Sequence, residues 1–220
     1  MTEEIRHDAL FRPGQLRVKI CGVTNPEDAA IAIDAGADAI GINLFRGSKR
    51  FVELDAVAAW VRELPVTRVA VVVNASKELL ARVVTSGCFD IVQFHGDELP
   101  DVCSQCLLPW MRAVRVADET SLVGALEYDA NALLLDGFSS TAYGGTGVTV
   151  DPVLARDFVA KHPERRVILA GGLTPKNVAA AAATVRPHGV DVAGGVERRD
   201  DPRRKDAAAM RDFIAAARGS

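Results

Sequence analysis

The chain has 220 residues, 49% of them apolar and 25% charged, with a formal net charge of −3. That apolar content supports a large core and excludes a disordered chain, and so mild a charge gives no reason to expect a nucleic-acid or membrane-surface partner. No apolar run reaches the length of a bilayer span, and the first 13 residues lack the basic-then-apolar layout of a secretory signal, so a cytoplasmic protein is expected.

Residues 1–16 read as a lead-in, and residues 17–220 as an alternation of short apolar runs with longer stretches of helical period. The strand candidates are 17–21, 39–44, 68–73, 91–94, 111–116, 132–136, 167–170 and 189–192. They are mostly continuous apolar runs, the pattern of parallel strands covered on both faces. After the first, Asn25-Pro26-Glu27-Asp28 offers a capping side chain, a proline at the first helical position and acids in the first turn, with Gly36 suited to the stop. After the second, Leu54, Val57, Ala58 and Val61 fall at i, i+3, i+4 and i+7, which gives a helix one apolar face. Gly87 suits the end of the third helix. After the fourth strand, residues 101–107 read as an amphipathic helix that uses Cys103 and Cys106 as small hydrophobes. Their C-x-x-C spacing raises metal or redox chemistry, yet no second Cys or His pair stands at zinc spacing, and no metal is expected. Thr174-Pro175 repeats the cap-and-proline device after the seventh strand, ahead of the alanine-rich stretch 179–183. Alanines 207–209 lead into a last helix whose apolar face is Met210, Phe213, Ile214 and Ala217.

Eight βα units in 220 residues leave no room for a second domain. A closed (β/α)8 barrel is therefore expected. An open doubly wound sheet would place a glycine-rich nucleotide loop after the first strand, where this chain has Cys21-Gly22-Val23-Thr24-Asn25.

Barrels of this kind carry their chemistry at the C-terminal strand ends and in the loops just beyond. Those ends hold Cys21, Asn43, Asn74, His95, Arg115, Asp136, Gly171 and Asp191. Glycine clusters follow the last three strands: Gly144, Gly145 and Gly147, then Gly171 and Gly172, then Gly194 and Gly195. Such loops let backbone N–H groups approach an anion, so a small phosphorylated substrate is expected. For proton transfer the candidates are Cys21, as a thiolate base whose pKa a nearby lysine or helix N-terminus would lower, and Asp136, as a shielded carboxylic acid. Burial as a small hydrophobe accounts for Cys21 as readily, and turn formation for Asp136.

The ordered motifs resemble the phosphoribosylanthranilate isomerase family over residues 18–214. They include Lys19-Ile20-Cys21-Gly22-Val23-Thr24, Gly47-Ser48-Lys49-Arg50-Phe51-Val52, Gln93-Phe94-His95-Gly96-Asp97-Glu98, Leu134-Leu135-Asp136, Leu169-Ala170-Gly171-Gly172-Leu173-Thr174-Pro175, Gly195-Val196-Glu197 and Lys205-Asp206. The resemblance implies an Amadori rearrangement of N-(5-phosphoribosyl)anthranilate, without cofactor or metal. It implies Asp136 as general acid, Cys21 as general base, and Arg50 as the ligand of the anthranilate carboxylate. His95 and Asp191 are further candidate substrate contacts, with a hydrogen-bonded scaffold role open for His95 and loop stiffening for Asp191. The chain departs from the family at Ala193-Gly194-Gly195, where Ser-Ser-Gly is usual, at Val148, where a lysine is common, and in Gly41-Ile42-Asn43, which lacks the usual aromatic. Those departures keep two alternatives in view, a paralogue acting on another aminated phosphosugar and a barrel that binds a phosphometabolite without turnover. The sequence specifies no oligomeric state.

Overall fold

Parallel strands bury their ladder only if covered on both faces, and here they do so by closing on themselves. In the computed structural model, which describes residues 14–137 and 149–219, eight strands form a closed barrel in sequence order. They are β1 (Arg17–Cys21), β2 (Ala39–Asn43), β3 (Thr67–Val72), β4 (Ile91–Phe94), β5 (Trp110–Val116), β6 (Ala132–Gly137), β7 (Val167–Leu169) and β8 (Gly189–Val192). β8 returns to pair with β1 in parallel, Lys19 opposite Asp191. A helix follows each strand: α1 (Pro26–Asp34), α2 (Leu54–Val61), α3 (Lys77–Thr85), α4 (Pro100–Cys103), α5 (Glu119–Ala125), α6 (Pro152–Lys161), α7 (Val178–Val185) and α8 (Ala207–Arg218). Among the described residues no helix is long and apolar enough to cross a membrane.

The expected barrel is thus the one observed, and the strand limits differ by single residues. Leu44 and Ala170 fall just outside β2 and β7, yet each still donates one N–H to the neighbouring strand, Leu44 to Val71 O at 2.9 Å and Ala170 to Leu135 O at 2.8 Å. β3 stops before Val73 because Asn74 beyond it turns left-handed, at φ 47°.

Two helix readings need correction. Thr174-Pro175 does not cap α7: Asn177 occupies the cap position, its Oδ1 accepting from Thr174 N at 2.7 Å while its Nδ2 donates to Gly172 O at 3.0 Å. Thr174-Pro175 is spent on a tight turn that pins the loop after β7. In the C-x-x-C stretch only Cys103 is helical. α4 ends there, and Cys106 lies half-buried beyond it.

The strand period of two sorts residues into two cores. On each strand one alternating set faces the barrel axis and forms an inner cluster with Val69, Val71, Ile91, Met111 and Leu134 among its members. The other set, such as Val18, Ile20, Leu133 and Leu135, faces outward and packs with the helices, where Val57, Phe158, Met210 and Phe213 complete a larger cluster. At the N-terminal end of the barrel the ring is tied by charge. Arg68 meets Asp90 twice, at 2.8 and 2.5 Å, and Asp38 takes Arg17 at 3.1 Å and Arg218 at 2.9 Å.

Candidate active site

The same period of two assembles the site at the opposite end. Lys19 and Cys21 on β1, Gln93 and then His95 at the end of β4, Asp136 on β6 and Asp191 on β8 all continue the inward-facing set. They, or the residues just above them, wall a cavity of about 880 Å³ at the C-terminal mouth. Cys21, Arg50, His95, Asp136, Gly171, Gly172, Asp191, Gly194 and Gly195 all line it. Gly144, Gly145, Gly147 and Val148 lie outside the described residues.

Arg50 is held from below and beside. Its side chain crosses Gly22, whose φ is +70° and where a Cβ would overlap Arg50 Cδ. Its Nε donates to Glu197 Oε1 in a short charge-assisted hydrogen bond. One terminal nitrogen of the guanidinium is buried without a partner among the described residues. An unpaired buried cationic donor is costly, and this one sits in the wall of an open cavity.

Glu197 is shared. It also takes Lys49 at 3.2 Å and the buried Lys205 at 3.4 Å. Burial alone would raise its pKa, but the hydrogen bond from Arg50 and the charges of Lys205 and Arg50 outweigh that and hold the carboxyl below its ordinary range. Burial pushes Lys205 down to about 8, with Glu197 opposing the fall. Lys205 Nζ also donates to Ala193 O at 3.0 Å. That contact ties the loop after β8 to the segment before α8.

Across the cavity, Asp136 Oδ1 accepts from the N–H of Gly137 at 2.9 Å. His95 Nε2 lies 3.3 Å from Asp136 Oδ2, and its Nδ1 lies 2.9 Å from Gln93 Nε2. An amide nitrogen donates, so Nδ1 is the acceptor and the ring proton falls on Nε2, toward Asp136. His95 thus stands beside Asp136 in the cavity wall, close to it without a hydrogen bond among the described residues.

Cys21 requires a correction. A lysine does stand nearby, but its pull does not win: burial, reinforced by Asp191, raises the thiol against the pull of Lys19 and Lys205. Asp191 accepts from Lys19 Nζ at 2.7 Å, and so is committed to a buried ion pair.

The loops after β7 and β8 approach each other closely. Gly194–Val196 forms a single 3-10 turn, not an open loop, and a Cβ on Gly195 would overlap the carbonyl oxygen of Leu173 in the loop after β7. Sequence reasoning assigned no role to Lys19, Glu197 or Lys205. Lys19 carried a usable signal, a charged residue at an inward position of an otherwise apolar strand. Glu197 and Lys205 lie outside strands and entered only as members of two of the ordered motifs, with no role attached. Among the described residues, no group of three His, Cys, Asp or Glu could hold a metal ion.

Residues 18–216 match the family model of N-(5'-phosphoribosyl)anthranilate isomerase. An N-(5'-phosphoribosyl)anthranilate isomerase of Pelobacter propionicus is 42% identical over 201 residues, spanning 90% of this chain and 94% of that one. The crystal structure of phosphoribosyl anthranilate isomerase from Thermotoga maritima superposes with a TM-score of 0.84 at 36% identity, covering 93% of this chain and all of that one. A phosphoribosyl anthranilate isomerase crystallised with reduced 1-(o-carboxyphenylamino)-1-deoxyribulose 5-phosphate gives a TM-score of 0.81 at 35% identity, over 93% of this chain and 100% of that one.

Proposed function

The chain belongs to the N-(5'-phosphoribosyl)anthranilate isomerase family, and from that premise we propose how its own residues divide the reaction. As an enzyme of this family it serves tryptophan biosynthesis. The substrate is a small phosphorylated aminoglycoside, and the rearrangement needs a proton given at the ribose ring oxygen and one taken from C2. Asp136 gives the first, opening the ring to an iminium. Cys21 as thiolate takes the second, and the resulting enolamine tautomerises to the ketone. His95 faces the Asp136 carboxyl with its Nε2. Arg50 receives the anthranilate carboxylate. Backbone N–H groups of the loops containing Gly144, Gly145 and Gly147, Gly171 and Gly172, and Gly194 and Gly195 hold the phosphate, with the last pair packed tightly enough against Leu173 to fix its position.

The observation that carries this reading is the unpartnered nitrogen of Arg50, buried in the wall of the cavity that Cys21 and Asp136 also line. A planar cation with one edge occupied by Glu197 and the other left over is shaped for a carboxylate. The test follows the loss of substrate fluorescence on adding purified protein to phosphoribosylanthranilate. Cys21→Ser and Asp136→Asn are expected to lower kcat roughly 10²–10⁴-fold, the range of general acid–base contributions, and Arg50→Ala to raise KM. Near-normal kcat in either of the first two, or an unchanged KM in the third, overturns that residue's role.

A further inference from the structure

Lys19 is wholly buried on the inner wall of the barrel. An ammonium is expensive there unless it is paired, and neighbouring inward positions carry Ala39, Val69 and Leu134, which fill the same kind of space without charge. Its Nζ is anchored to Asp191 Oδ1 at 2.7 Å across the β1–β8 pair. Two residues on, the Cys21 sulfur stands on the same face, and both it and Lys19 Nζ border the space above Gly41. Gly41 on β2 makes the juxtaposition possible, since a Cβ there would stand 3.0 Å from Cys21 Sγ and 3.0 Å from Lys19 Nζ, tighter than either atom tolerates without moving.

We propose that Lys19 is a positioning residue for the C2 proton transfer: its ammonium, anchored by Asp191, favours the thiolate form of Cys21 against the cost of burial at the floor of the site. The inference rests on the reading of Cys21 as the general base. The proton passes from substrate C2 to Cys21 Sγ, and Lys19 exchanges none. Two charged groups bear on the thiol besides Lys19, Asp191 from β8 and Lys205 from the segment before α8; Lys49, Arg50, His95, Asp136 and Glu197 line the same cavity. Burial and Asp191 disfavour the thiolate; Lys19 is the largest opposing influence and Lys205 a smaller one. The two partners of the ion pair thus act on the sulfur with opposite sign.

That opposition supplies the test. Cys21 alkylation by iodoacetamide is followed against pH by mass spectrometry, which separates its peptide from those of Cys88, Cys103 and Cys106. Lys19→Met is expected to move the alkylation midpoint up by about one pH unit or more, a tenfold loss of thiolate at a given pH, while Asp191→Asn moves it down. The kcat of Lys19→Met falls in step and recovers as pH rises, with KM within about twofold of the parent, since only the deprotonation step is affected. Midpoints that stay put, or that move together, overturn the proposal. If Lys19→Met does not fold by circular dichroism, Asp191→Asn decides alone: a downward shift supports the ion pair and any other result overturns it. Cys21→Ser with undiminished kcat overturns the base assignment instead, and the two failures are distinguishable because alkylation does not depend on turnover.

Discussion

Arg50 shows how much of a binding residue's behaviour is decided by atoms that never meet the ligand. Its stem lies over a position with no side chain, Gly22, and its Nε is fixed by Glu197. Neither constraint is visible in the Gly47-Ser48-Lys49-Arg50 segment that carries it. Gly22→Ala therefore strikes twice. An alanine at φ +70° costs roughly 1–2 kcal/mol in the left-handed region, and its methyl displaces Arg50. The expected outcome is a lower urea midpoint together with a KM raised in the direction of Arg50→Ala. A variant that loses stability while KM stays at the parental value would mean that Arg50 can reach the carboxylate from another rotamer. At Cys21 and Asp136, by contrast, the residue type and strand-end position are in the sequence, and the family resemblance implied the roles. What the sequence could not give is the sign of the thiol's shift, because that is a contest among burial, Asp191, Lys19 and Lys205, and three of the four depend on which strands end up adjacent.

Elements bring these residues together through register. Lys19 and Asp191 are 172 positions apart and become neighbours only because β8 closes onto β1. A linear pattern predicts that strands alternate with helices; closure decides which inward-facing residues touch. The same limit explains the misread cap at Thr174, where threonine and proline ahead of an alanine-rich run satisfy the local rule for a helix start. The chain instead uses that turn to bring Leu173 against Gly195 and starts α7 three residues later. The span after β8 is where element-scale tension concentrates, since Glu197 collects Lys49 and Arg50 from one segment and Lys205 from another. Glu197→Gln keeps the shape and removes the charge. We expect its KM to rise about tenfold, the effect of weakening one charge-assisted hydrogen bond by ~1.5 kcal/mol. Its pH dependence has a fixed sign. A carboxyl depressed in the folded state contributes stability above its ordinary pKa of 4.5, and that contribution is lost as pH falls through the folded value. Acid unfolding monitored by fluorescence should begin at higher pH relative to neutral stability in the parent than in Glu197→Gln, whose curve is flatter below 4.5; parallel curves would show that Glu197 is not the group being titrated.

The whole barrel separates two kinds of buried charge by end. At the C-terminal mouth, charged groups keep unsatisfied valences or serve several partners, as with the spare nitrogen of Arg50 and the crowded Glu197. At the N-terminal end Arg68 and Asp90 are spent on each other. Asp90 accepts from the Arg68 backbone N–H at 2.9 Å and from its guanidinium at 2.8 and 2.5 Å, closing β3 against the start of β4 with both residues buried. No residue of this pair lines the catalytic cavity. Asp90→Ala strips the carboxylate from a buried guanidinium that also donates to the carbonyl of Arg62 at 2.9 Å, and breaking such a pair from one side costs roughly 3–5 kcal/mol. For a chain of this size each kcal/mol lowers Tm by about 2–4 °C, so a fall of roughly 6–20 °C is expected. Because the damage lies at the far end of the strands, kcat and KM measured well below the new Tm should match the parent. A thermal melt and a kinetic assay on the same preparation check both halves. Altered kcat or KM in fully folded protein would mean that strain travels along β3 and β4 to the mouth, and the two ends of the barrel would then have to be treated as one coupled unit.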